Sequence, residues 1–223
     1  MNLSNSKHEH KMNTSNFVSS TIKSLSLAIL LIGFASCSDD DDLTPQQATE
    51  SETVSNLYAP QSGGQGSGEE ISGAFTKFSF STGQTTTSET EWDIAFRGTS
   101  IIVNGGASLG TNDEPSRSGI AAGYLASSTL SGVSEVNTSL LAQDTQDGYV
   151  INDWYTYSGP PNHLITPTPG KVIVVKTHDG KYAKLEILSY YKDAPDQPDA
   201  FVDESRYYTF NYVYQPNEGV TTF

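Results

Sequence analysis

The chain has 223 residues, with 12 Lys+Arg against 26 Asp+Glu and a net charge of −14. That balance excludes a nucleic-acid footprint, which needs clustered basic side chains, and it repels anionic surfaces. The length allows one folded domain with a real core, plus accessory segments.

The N-terminus reads as an export signal. Lys23, the apolar run Leu25 to Phe34, and the small residues Ala35 and Ser36 precede Cys37, the make-up of a secretory signal peptide. The run is too short to span a bilayer. Cys37 is the sole cysteine, so it has no partner for an intramolecular disulfide. Small residues followed by a lone Cys resemble the lipobox of bacterial lipoproteins, with Phe34 bulky for its place. That resemblance implies acylation of Cys37, and two or more acyl chains anchor a protein stably. Ser38-Asp39-Asp40-Asp41-Asp42 resembles the acidic export signal of Bacteroidetes lipoproteins, which implies an outer-membrane, cell-surface location; its other reading is a solvated spacer. Residues 1–36 are thus expected to be the signal, with Met12 as an alternative start. Residues 37–70, acidic and rich in Gly, Ser and Gln, are expected to form a lipidated, flexible tether. Residues 71–223 are expected to form a β domain.

From Ile71 the pattern turns to period two. Phe78 and Phe80 alternate with Lys77 and Ser79, and Trp92, Ile94 and Phe96 alternate with Asp93, Ala95 and Arg97. TSIIVNGG follows, with Asn104-Gly105 as a turn signal. Residues 107–119 read as a long polar loop and GIAAGYLASS as a weaker strand. TLSGVSEVNTSLLAQD could hold one short helix. GYVINDWYTYSG reads as a strand leading into a Pro-rich loop. KVIVVKT and KYAKLEILSYY form a hairpin across His178-Asp179-Gly180. RYYTFNYVY closes the domain, with Tyr208, Phe210, Tyr212 and Tyr214 on one face. Many short strands with turns between them predict an all-β antiparallel fold, a sandwich or open barrel.

Enzymatic signals are weak. His163 and His178 are the only histidines beyond Cys37 and offer few candidates for a general base; no catalytic activity is expected. Asp193, Asp196, Asp199 and Asp203 could offer oxygen ligands to Ca²⁺, but without EF-hand spacing, and a solvated loop is the other reading. His178 lies in a hairpin turn, the usual place for an exposed polar residue. His163, in P-P-N-H-L, leaves a strand; loops on rigid β scaffolds carry sites disproportionately, though a surface histidine with ordinary hydrogen bonds fits the same position.

WDIAFRGTSIIVNGG, GKVIVVKTHDGKYAKLEILSYYKD and YYTFNYVYQP together resemble the HmuY family of Bacteroidetes haem-binding lipoproteins, over roughly Phe75 to Pro216. The resemblance implies a nearly all-β protein that binds haem. It also implies capture from host or environmental haem proteins and delivery to a TonB-dependent outer-membrane receptor. An alternative of another class is a structural or adhesive surface lipoprotein that binds glycan or a partner protein, with no haem site.

The best-known relative holds iron between two histidines, and some relatives use methionine. Here the corresponding positions fall near Tyr124 and Ser158-Gly159. Both methionines, Met1 and Met12, precede Cys37, so the mature chain has none. The resemblance therefore implies His163 with Tyr124, or either alone, as axial ligands; His and Tyr both ligate haem iron. Trp154 and Tyr157 are candidates to line an apolar slot for the macrocycle, although core or cross-strand packing is the commoner role of such residues. Arg117 is a candidate partner for haem propionates, against a surface pair.

Overall fold

The computed structural model describes residues 45–64 and 66–223. The signal segment, Cys37 and the acidic run lie outside the described residues. A five-stranded antiparallel sheet has the order β1 (Glu50–Tyr58), β11 (Ser205–Gln215), β10 (Tyr182–Tyr191), β9 (Lys171–Lys176), β6 (Ala122–Ser127). A four-stranded sheet has the order β3 (Gln84–Thr86), β2 (Thr76–Ser79), β4 (Ile94–Arg97), β5 (Ser100–Val103). A separate hairpin pairs β7 (Tyr155–Tyr157) with β8 (Ile165–Pro167).

Period-two alternation sorts the side chains between faces. Ile173, Val175, Leu185, Phe210 and Tyr212 of the larger sheet pack against Phe78, Phe80, Ile94, Phe96 and Val103 of the smaller one. Phe210 lies at the join, with its ring 5.5 Å from Phe78 and 5.8 Å from Phe96. The expected common face of β11 is present, since Tyr208, Phe210, Tyr212 and Tyr214 are all buried in this core. On the other face of the larger sheet, Tyr124, Val172, Val174 and Tyr182 form a second cluster with Val133 and Val136. The C-terminus closes it: the Phe223 amide donates to the Ser134 carbonyl over 3.0 Å.

The all-β fold is as expected, and so is the β9–β10 hairpin across His178–Gly180. Four local expectations need correction. The tether expected over 37–70 contains β1, which is paired along β11. Its apolar residues, Val54 and Leu57, are three apart, a spacing no regular strand puts on one face. A bulge between them resets the alternation, so Val54 opposes Phe210 and Leu57 opposes Tyr208. Asn56 takes the left-handed conformation there (φ 58°). Reciprocal bonds with Asp193, of 2.8 and 2.7 Å, hold it.

The polar phase of the second predicted strand is also buried. Asp93, Ala95 and Arg97 are inside, because Phe75, Trp92, Ala95 and Ile102 form a third cluster on the outer face of the smaller sheet. Asn104-Gly105 does not join two strands. Asn104 is fully buried, donates to the carbonyls of Thr90 and Trp92, and accepts from the amides of Ser118 and Gly119. The reversal between β4 and β5 occurs instead at Gly98, with φ of 53°. The expected strand over GYVINDWYTYSG shortens to Tyr155–Tyr157: the chain turns at Asp153, which is left-handed at φ 55°. The one helical element among the described residues is a 3-10 turn, Thr138–Leu140, capped by Asn137.

Candidate functional site at the tip of the sandwich

Two segments meet beyond the Tyr191 end of β10: the turn between β7 and β8, and the loop between β10 and β11. The Tyr191 hydroxyl accepts the Ile165 amide at 3.1 Å and fixes the hairpin to this end of the sheet. Within the turn, the Ser158 amide donates to the Leu164 carbonyl, and the Leu164 amide returns to Ser158 Oγ, each at 2.9 Å. His163 sits in the left-handed region at φ 53°, with its amide on the Gly159 carbonyl at 2.8 Å. This backbone directs an exposed imidazole outward from a braced turn.

The imidazole has aromatic neighbours on two sides. Its Nδ1 is hydrogen-bonded to the Tyr157 hydroxyl, and the two rings lie 5.9 Å apart. Phe201 meets it edge-on at 6.0 Å. Phe201 is 75% exposed, Val202 78% and Tyr157 51%. Exposed apolar side chains gathered in one place mark a binding surface more often than chance does. A cavity of 370 Å³ lies between Asn162 and Leu164 on one side and residues 197–201 on the other.

Three of the four aspartates of the 192–204 loop shape it. Asp199 Oδ1 accepts the Phe201 amide at 2.9 Å, and Asp203 Oδ2 accepts the Asp199 amide at 2.7 Å. Asp193 is bonded to Asn56. The four do not form a cation cage: among the described residues, the one trio with metal-ligating atoms close together is Asp93, His178 and Asp179.

The other expected site residues lie elsewhere. Tyr124 belongs to the cluster on the far face of the larger sheet, and its hydroxyl accepts the Asn137 amide at 2.9 Å. His163 is in the hairpin that packs, through Leu164 and Ile165, on the inter-sheet core, so the two are not brought together. Trp154 is a buried pillar beneath the hairpin. Its Nε1 donates to the Thr99 carbonyl at 3.0 Å, and its ring lies 5.2 Å from Tyr208. Arg117 is buried and paired with Glu114 at 2.7 Å and Asp144 at 3.1 Å, which leaves it no propionate to meet. Burial alone would raise the Glu114 carboxyl, but bonds from Arg117 and Ser108 bring it below the usual carboxylate range.

His178 is also not the free turn residue expected. Its amide and its Nδ1 both reach Asp93 Oδ1, at 2.9 and 2.7 Å. The residue that sequence reasoning missed is Phe201. Its signal was an apolar pair, Phe201-Val202, standing in an otherwise Asp- and Pro-rich loop.

A larger cavity, of 990 Å³, opens at the opposite end of the sheet among Ala122, Leu141, Gln143, Lys176 and Tyr182. Tyr182 and Tyr191 are the first and last of the ten residues of β10, about 30 Å of strand apart. This cavity contains no histidine. The tip contains one, with its second ring nitrogen left for a ligand and exposed apolar side chains beside it. That donor set fits one face of a flat, apolar macrocycle with a ligand-seeking metal.

Solved structures similar to this chain include the apo HmuY analogue of Tannerella forsythia. It is 16% identical, and the match covers 77% of this chain and 99% of that one at a TM-score of 0.49. A candidate lipoprotein of Bacteroides fragilis is 14% identical, with 76% and 90% covered and a TM-score of 0.45. A candidate HmuY-like haem-binding protein of Bacteroides vulgatus is 16% identical, with 76% and 93% covered and a TM-score of 0.35. Among curated proteins none matches. The HmuY family model matches residues 73–212, from just ahead of β2 to within β11, and by that match the chain belongs to the HmuY family.

Proposed function

We propose that this protein binds haem non-covalently at the tip, with His163 as an axial ligand through Nε2. The observation that carries the reading is the His163 imidazole held beside the exposed ring of Phe201, in a chain of the HmuY family. Tyr157, Phe201 and Val202 supply apolar contact for the macrocycle, and bound haem would supply the iron that accepts the imidazole lone pair. No turnover is part of this reading; the protein carries its ligand.

The lone Cys37 after small residues and the acidic run that follows it support lipidation and a place on the outer membrane, facing the surroundings. The described chain starts at the end away from the tip. Gln47 exchanges bonds of 2.8 and 2.7 Å with Asn217, and Glu50 opposes Tyr214. The exposed tip is where haem would be taken from a donor protein and passed to a TonB-dependent receptor. The test is to add ferric haem to the protein and follow the Soret band. A new band saturating near one haem per chain is expected; a spectrum equal to that of haem with an unrelated acidic protein contradicts the reading.

A further inference from the structure

We infer that Tyr157 is a positioning residue for His163: its hydroxyl occupies Nδ1, so that Nε2 is the nitrogen the turn presents to a ligand beside Phe201. This inference rests on the haem-binding reading.

An exposed histidine ordinarily offers either ring nitrogen, and the hydrogen bond made by one decides which is left for a metal. Here the bond is from Nδ1 to the Tyr157 hydroxyl. Tyr157 is a firm base for it. It ends β7, and its backbone opposes Ile165 in the hairpin ladder. His163 is set by its own amide bond to Gly159, so both backbones are fixed independently of the side-chain contact. The rings incline at 34° to each other, while Phe201 stands at 86° to the imidazole. The imidazole thus has a hydrogen-bonding partner on one side and an apolar edge on the other.

A phenol oxygen can both donate and accept. While it donates to Nδ1 the ring proton is on Nε2; on ligation solvent takes the Nε2 proton and protonates Nδ1, and the hydroxyl then accepts from Nδ1–H while Nε2 gives its lone pair to a metal. The contact therefore survives ligation, as in metal sites where the second ring nitrogen is anchored by a neighbour. Tyr157 is half exposed, so little packing holds its ring; its placement serves the hydroxyl.

The experiment uses the full chain, with Tyr157→Phe and His163→Ala compared with the unaltered protein. Ring-nitrogen NMR is recorded without ligand, and ferric haem is then titrated by Soret absorbance and examined by EPR. Tyr157→Phe is expected to move the His163 Nδ1 resonance and not those of His178. It should also weaken haem binding by roughly tenfold or more, as loss of such anchoring partners does at metal sites, and alter the EPR signature. His163→Ala should weaken binding further. If His163→Ala weakens binding while Tyr157→Phe leaves affinity and EPR unchanged, the positioning role is overturned and the haem reading stands, whether or not the Nδ1 resonance moves. If neither variant changes binding, or the unaltered protein binds no haem, both are overturned.

Discussion

His178 Nδ1 lies 2.7 Å from Asp93 Oδ1, a bond that joins the β9–β10 turn of the larger sheet to the smaller sheet. The Asp93 carboxylate is buried, and its Oδ2 also accepts the Phe80 amide at 2.7 Å. Two sheets that share a core are thus also joined at one edge through a single carboxylate.

This bond makes stability depend on pH. The hydrogen bond from Asp93 raises the His178 pKa above its ordinary 6.5, with Asp179 and Glu91 adding to the rise against the opposing effect of burial. A raised folded value means the contribution is full below the unfolded value and is lost as pH climbs through the folded one. Urea midpoints should therefore fall as pH rises from about 6.5, and His178→Gln should remove that component of the slope. An unchanged slope in the variant would refute the assignment.

Arg117 should be structural. Its two carboxylate partners, Glu114 and Asp144, are buried with it, and removing one member of such a set costs about 3–5 kcal/mol. Arg117→Met is expected to lower unfolding free energy by that order, and to leave haem affinity in the folded protein unaltered. A stable variant with weakened haem binding would return Arg117 to the propionate role.

Truncation should distinguish tether from strand. A chain beginning near residue 45 retains β1 and should unfold cooperatively. One beginning at 71 loses one of the two partners of β11 and uncovers Phe210 and Tyr208, which oppose Val54 and Leu57, so it should aggregate or melt at markedly lower temperature. Equal thermal stability of the two would show that β1 contributes nothing.

Much of the fold was legible because it follows simple periodicity. The Asp-Gly turn after His178 and four of the five aromatic residues of β11 identify the central hairpin and its inward face. β1 was not legible, because ESETVSNLY is polar on average and its two inward residues fit one face only through a bulge at Asn56. The burial of Asp93 and Arg97 was hidden for a related reason: both faces of the smaller sheet are covered, and alternation alone assumes that one is wet. At the site, His163 could be picked out as a loop histidine leaving a strand. The neighbours that give it a use, Phe201 above all, come from a segment 38 residues later in the chain, a proximity set by topology. The same holds for Arg117 and Asp144.

Tyr124 should prove to be part of the second core. Tyr124→Phe removes the acceptor of the Asn137 amide and should cost about 1 kcal/mol, read as a small drop in urea midpoint. Its haem spectrum should match that of the unaltered protein. A lost charge-transfer band or a large loss of affinity would show that the hydroxyl reaches iron.

The central claim is that haem sits at the tip. Ferric haem affinity measured side by side for His163→Ala, Phe201→Ala and Tyr182→Phe tests it most directly, because the last variant alters only the larger cavity at the other end. The account predicts that both tip variants weaken binding and shift the Soret band while Tyr182→Phe changes neither. Binding lost in Tyr182→Phe and kept in the two tip variants would contradict it.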